Sequence, residues 1–119
     1  MAPLINEFKN NSSFICKVCV TAQHREMLDQ VLDFFDIVPD FDLNLMKPNQ
    51  NLHNLTSNII ELLKPVFDEF KPHYSFVHGD TTTTMAASIS SFYSGVKVCH
   101  VEAGLRTNNK LSPYPEEIN

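Results

Sequence analysis

The chain has 119 residues, 43% of them hydrophobic and 19% charged, with a formal net charge of −5. That length holds at most one domain with a modest core, and the acidic balance argues against a general nucleic-acid binder or a protein held on an anionic membrane. No apolar run reaches the length of a membrane helix and no signal-peptide pattern opens the chain, so a cytoplasmic setting is expected.

Taken in order, Ala2 to Lys9 carries Leu4, Ile5 and Phe8 at helical spacing, and Asn10-Asn11-Ser12-Ser13 stops it. Phe14 to Val20 reads as the first strand, Thr21-Ala22-Gln23 as a βα turn, and His24 to Phe35 as an amphipathic helix. Its apolar stripe is Met27, Leu28, Val31, Leu32 and Phe35, and Arg25, Glu26, Asp29 and Asp33 lie on the wet side. After Pro39, Phe41 to Leu45 alternates as a short strand, and Met46 to Asn51 is a loop. Leu52 to Phe70 reads as a long helix burying Leu52, Leu55, Ile59, Leu62, Leu63, Val66, Phe67 and Phe70, with Pro65 expected to kink or split it at Lys64. Tyr74 to Val77 is a strand, Met85 to Tyr93 a helix opened by four threonines, and Val96 to Val101 the last strand. Helices alternating with strands at this spacing predict an α/β fold, a parallel sheet with flanking helices.

Three cysteines do not suggest a disulfide framework. Cys16 and Cys19 form a C-x-x-C, but inside the predicted strand that spacing sends the thiols to opposite faces. With only Cys99 left as a third sulfur, no metal site is expected, and the three are read as small buried residues.

The chain is organised around Val77-His78-Gly79-Asp80-Thr81-Thr82-Thr83-Thr84. An apolar strand stops at a glycine and a carboxylate, and threonines open a helix whose N-terminus offers backbone N–H groups and positive potential to a phosphate. The plainer alternative makes Asp80 only an N-cap. Glu102 likewise follows an apolar strand. If the two strands are neighbours, Asp80 and Glu102 converge at the sheet edge where open α/β sheets bind ligands. Two carboxylates in one cleft supply an acid and a base. Arg106 is placed to hold a phosphate or a carboxylate, and Glu116 and Glu117, behind two prolines, could return a third carboxylate to the edge. The chemistry indicated is acid–base work on a phosphorylated or nucleotide-linked small molecule. His24 is read either as a partly buried core residue or, with Gln23 and Glu26, as facing a ligand from a helix start.

Four stretches, running from Thr21 to Gln30, Val77 to Thr84, His100 to Thr107 and Ser112 to Glu117, closely resemble the non-hydrolysing UDP-N-acetylglucosamine 2-epimerases of bacteria, in order and with similar spacing. The resemblance implies a Rossmann-like part of a glycosyltransferase-B type fold and interconversion of UDP-N-acetylglucosamine and UDP-N-acetylmannosamine, by elimination of UDP and re-addition, with no cofactor. It implies Asp80, Glu102 and Glu116 as catalytic carboxylates, leaving open which removes the proton, and Arg106, Thr81 and Thr82 as substrate-binding residues. Gln23, His24 and Glu26 match a segment near a second, activating UDP-N-acetylglucosamine. A cytoplasmic homodimer serving cell-surface polysaccharide synthesis, with no nucleic acid or membrane as partner, is also implied.

The family opens with a strand and a Gly-Thr-Arg-Pro-Glu turn before the helix that starts this sequence, and it continues into a second domain. Residues 1–119 are therefore expected to be a partial N-terminal Rossmann-like domain, with activity residing in a full-length parent. The alternative is a catalytically inactive fragment that at most binds a nucleotide sugar or a complete subunit. A receiver-type signalling domain is disfavoured because Val18-Cys19-Val20-Thr21-Ala22 offers no carboxylates for Mg²⁺. A glycosyltransferase of the same architecture would differ in needing an acceptor.

Overall fold

The computed structural model describes residues 1–22, 25–45, 50–102 and 104–119. Its elements are α1 (Ala2–Asn10), β1 (Cys19–Val20), α2 (Arg25–Phe34), β2 (Phe41–Asp42), α3 (Leu52–Phe70), β3 (Tyr74–His78), α4 (Thr82–Tyr93) and β4 (Lys97–Val101). They fall into two units, Met1–Pro48 and Asn49–Asn119, each with its own pair of parallel strands. The α/β class and the alternation of elements are those expected. No described helix is long and apolar enough to cross a membrane.

In the first unit β1 pairs with β2, Cys19 opposite Phe41 and Val20 opposite Asp42. Flanking bonds extend the ladder: Asp40 N and Phe41 N donate to Val18 O, and Leu43 N donates to Val20 O. Val18, Val20 and Ile37 form the buried core, with Ala2, Ile5, Leu28 and Leu32 packed on it. The paired strand is far shorter than the expected Phe14–Val20. A strand lasts only as long as it has a partner, and the partner here starts at Phe41. Phe14 instead meets the Phe8 ring edge-on at 5.0 Å, and Ile15 is 81% exposed. The second strand is likewise cut to Phe41–Asp42, and Asn44 then takes a positive φ of 46°. The α2 stripe also narrows. Leu28 and Leu32 pack inward, while Met27, Val31 and Phe35 are exposed.

The cysteine reading needs correction. Cys16 and Cys99 are half-buried and Cys19 is exposed, all three as free thiols. Cys19 keeps solvent on one side, yet desolvation by the chain around it, reinforced by the Asp42 carboxylate, pushes its thiol up to about 11. Desolvation also raises Cys16, so neither is a ready thiolate at neutral pH.

In the second unit Leu55, Ile59, Leu63 and Phe67 recur every fourth residue and make the buried stripe of α3. The stripe faces α4, where Ala86 and Ser90, one turn apart and buried, keep the contact surface low. Ser90 Oγ donates across the contact to Ile60 O at 3.2 Å. Leu62 is exposed rather than buried. Asn51 starts α3 as its N-cap, accepting from Asn54 N at 2.9 Å. Pro65 does not split the helix, which runs unbroken through it. The carbonyl that Pro65 leaves without its helical donor belongs to Glu61, and both residues lie on the exposed side of the helix, so the lost bond does not fall in the core.

Candidate active site

Strands β3 and β4 run side by side and parallel, from Tyr74 opposite Lys97 to His78 opposite Val101. Their carboxyl ends therefore open onto one edge, and that is where the two predicted carboxylates sit. After His78 the chain turns through Gly79, whose φ of 75° is the left-handed region that a side chain disfavours. Gly79 N continues the pairing by donating to Val101 O at 3.0 Å. Asp80 comes next, exposed at the turn.

The residue that caps α4 is Thr81, not Asp80. Thr81 has extended backbone and its Oγ1 accepts from Thr84 N at 3.3 Å. Thr84 is 3% exposed and its Oγ1 donates to His78 O at 2.6 Å, tying the first turn of α4 to the end of β3. With capping done by its neighbour, Asp80 has no structural duty at the helix. Among the described residues nothing hydrogen-bonds its carboxylate, and only its backbone carbonyl is engaged, by Asn119 Nδ2 at 2.9 Å.

Glu102 leaves β4 with a φ of 57°, a conformation costing a non-glycine residue about 1–3 kcal/mol. His78 Nε2 lies 2.6 Å from Glu102 Oε2, with the two side chains 43% and 65% exposed. A polar contact that open contributes roughly 0–1 kcal/mol, so it does not on its own offset the backbone strain. Strain of this kind at a site is a pointer to function. From the other strand His100 Nε2 reaches Gly79 O at 2.6 Å.

Asp80, Glu102 and Arg106 line one cleft of about 70 Å³ together with Gly79, His100, Gly104, Leu105 and Asn119. The strand-end argument thus brings three of the predicted site residues together. The cleft is open, with Asp80, Glu102 and Arg106 all exposed. Arg106 Nη1 donates to Leu105 O at 2.6 Å, leaving further guanidinium donors for a ligand.

Other predicted residues fall outside the cleft lining. Thr81 is the cap, and Thr82, the first residue of α4, is 7% exposed. Glu116 is half-buried in the C-terminal turns and does not line the cleft. Its neighbour Glu117 makes the visible bonds, accepting from Thr107 N at 2.8 Å and Asn108 N at 2.9 Å. The Thr107 N–H, supported by Asn108 and the Arg106 charge, holds the Glu117 carboxyl below the usual carboxylate range. Glu26 is exposed on the first turn of α2, and Gln23 and His24 lie outside the described residues.

Sequence reasoning assigned no role to His78 or His100. A signal was present: each histidine stands two residues before a carboxylate, in His78-Gly79-Asp80 and His100-Val101-Glu102. Two copies of that spacing at neighbouring strand ends place an imidazole beside each acidic turn.

Comparison with known proteins identifies the family. A family model described as UDP-N-acetylglucosamine 2-epimerase matches residues 6–119. The UDP-N-acetylglucosamine 2-epimerases of Salmonella borreze and Escherichia coli K12 are 60% and 59% identical over the full 119 residues, which span 32% of either relative. The crystal structure of the Neisseria meningitidis epimerase bound to UDP-GlcNAc superposes with a TM-score of 0.93 at 58% identity, over all of this chain and 32% of that one. The Methanocaldococcus jannaschii enzyme, in complex with UDP-GlcNAc and UDP, gives 0.88 at 26% identity over 99% of this chain and 32% of that one. The chain spans about a third of the length of the curated relatives it matches, and the fold of those enzymes is of the glycosyltransferase-B type. Two neighbouring strands ending in carboxylates, a match running nearly end to end and this structural agreement together place the chain in the UDP-N-acetylglucosamine 2-epimerase family.

Proposed function

We propose that this chain supplies the carboxylate edge of an enzyme interconverting UDP-N-acetylglucosamine and UDP-N-acetylmannosamine, and that residues 1–119 are part of the N-terminal Rossmann-like domain of that enzyme. The observation that carries the reading is the meeting of Asp80, Glu102 and Arg106 in one cleft at the ends of neighbouring parallel strands. The hydrogen at C2 of the sugar is not beside a carbonyl. It becomes acidic only as the C1–O bond to UDP breaks and positive charge grows on the ring. A carboxylate at C2 takes that proton while donors neutralise the departing diphosphate. Re-addition of UDP with protonation on the opposite face of C2 gives the epimer.

In this scheme Asp80 and Glu102 meet the sugar, and Glu116, outside the cleft lining here, is the third carboxylate, brought to the sugar when substrate binds. Arg106 and the start of α4 hold the diphosphate. Thr81 contributes as the cap, and Thr82, being buried, contributes through its N–H rather than its hydroxyl. Gln23, His24 and Glu26 belong to a separate regulatory UDP-N-acetylglucosamine site. The working unit is a cytoplasmic homodimer that needs no cofactor, nucleic acid or membrane.

The test is an NMR assay with UDP-N-acetylglucosamine, following the anomeric proton signals, on the purified chain and on the longest protein that carries it. Formation of UDP-N-acetylmannosamine, abolished by Asp80→Asn and by Glu102→Gln, is the expected result. Turnover unaffected by both substitutions overturns the assignment. A folded 119-residue chain that binds UDP without turnover makes it a binding fragment.

A further inference from the structure

The two carboxylate-bearing turns are held from opposite sides by the two histidines. His78 ends β3 and reaches Glu102 just past β4, at 2.6 Å. His100 belongs to β4 and reaches the carbonyl of Gly79 just past β3, also at 2.6 Å. Each strand therefore grips the turn of the other. The register adds to the symmetry. His78 lies opposite Val101 and His100 opposite Val77, and since side chains alternate along a strand, the imidazoles approach from the two faces of the sheet.

The chemistry needs such a brace. Glu102 sits in the left-handed region and is exposed, so its backbone has neither preferred dihedrals nor burial to hold it. Asp80 comes after a glycine of positive φ, the most permissive kind of backbone, and its carboxylate makes no hydrogen bond among the described residues. The brace also specifies the protons. Gly79 O can only accept, so His100 must carry hydrogen on Nε2. The Glu102 carboxylate demands the same of His78.

We propose that His78 and His100 are positioning residues of this site, each donating from Nε2 to hold, respectively, the Glu102 carboxylate and the Gly79–Asp80 turn in place for the sugar. The proposal rests on the epimerase reading for its consequence, but its geometry is testable apart from that reading. His78→Phe and His100→Phe keep the ring and remove the donor. His78→Gln and His100→Gln keep an N–H at the same reach. In the protein that shows turnover, each Phe variant should lose about 100-fold in kcat, as expected when a reacting group shifts by about 1 Å, with KM little changed and the circular dichroism spectrum intact. Each Gln variant should recover most of the loss. Phe variants with wild-type kcat, or Gln variants as damaged as Phe, overturn the proposal.

Long-range ¹H–¹⁵N spectra of the imidazoles give the second readout. Both rings should show protonated Nε2 in the wild type. Glu102→Leu should release His78 and leave His100 unchanged. A His100 ring protonated only on Nδ1, or a His78 spectrum indifferent to Glu102→Leu, refutes the brace. Should the wild type turn over no UDP-N-acetylglucosamine, the epimerase reading fails, and these spectra decide the brace without it.

Discussion

Capping and chemistry are separated by a single residue at the start of α4, and that separation can be measured. Thr81 is the N-cap and Asp80 is free of that task. In Thr81→Ala the N–H of Thr84 loses its acceptor. Cap removal costs about 0.5–2 kcal/mol. The 3.3 Å bond is long, which favours the low end, but Thr84 is 3% exposed and its bared N–H has little water to turn to, which favours the high end. The expected loss is therefore about 1 kcal/mol, read as a shift of the urea midpoint at constant m. Thr81→Asp, which restores a side-chain acceptor, should return most of it. Asp80→Ala removes an exposed carboxylate with no hydrogen bond among the described residues, so stability should change by less than about 0.5 kcal/mol, while activity is lost. If Asp80→Ala destabilises as much as Thr81→Ala, Asp80 is holding the helix after all and the argument for its freedom fails.

Other consequences rest on single features. Ile59 is 0% exposed at the middle of the α3 stripe, so Ile59→Ala should cost about 2–5 kcal/mol and Ile59→Val about 0.5–1.5; similar costs for the two would mean that the site is not closely packed. Burial of Asp40 works against its charge, but the hydrogen bond from Lys17 and the N–H of Val18 outweigh it and hold the carboxyl below its ordinary value of 3.8. A depressed carboxyl contributes stability that is fully present above its unfolded pKa and is lost as pH falls through the lower, folded one. Stability of the wild type and Asp40→Asn should thus differ at neutral pH and converge as pH drops below about 4; a constant gap across that range contradicts the pairing. Glu117→Gln weakens two backbone contacts, so amide hydrogen exchange at Thr107 and Asn108 should quicken, whereas unchanged exchange would show that those bonds do not hold the turn.

Much of the site was legible because strand ends are legible. An apolar run closed by a glycine or an acidic residue marks both the edge and the residue delivered to it, which is why the sequence could bring Asp80 and Glu102 to one edge on the condition that their strands are neighbours. What could not be read depended on partners. Nothing within Phe14 to Val20 reports that its pairing begins only near Val18, because strand length is set by Phe41–Asp42. Pro65 looked like a break because the sequence does not show that Pro65 and Glu61 both fall on the exposed side of the helix. The histidines were missed for a related reason. Each lies close to the acidic residue on its own strand, but each bonds a group on the neighbouring one.

The central claim is that carboxylates at this edge move the proton at C2 of a UDP-linked sugar, and the most direct test is solvent exchange at that carbon. UDP-N-acetylglucosamine would be incubated in D₂O with the longest protein that carries this chain, and deuterium at C2 followed by NMR. The account predicts incorporation at C2 of the epimerised product, lost in Asp80→Asn and Glu102→Gln. Epimerisation with the original hydrogen kept, or exchange indifferent to both carboxylates, would contradict it.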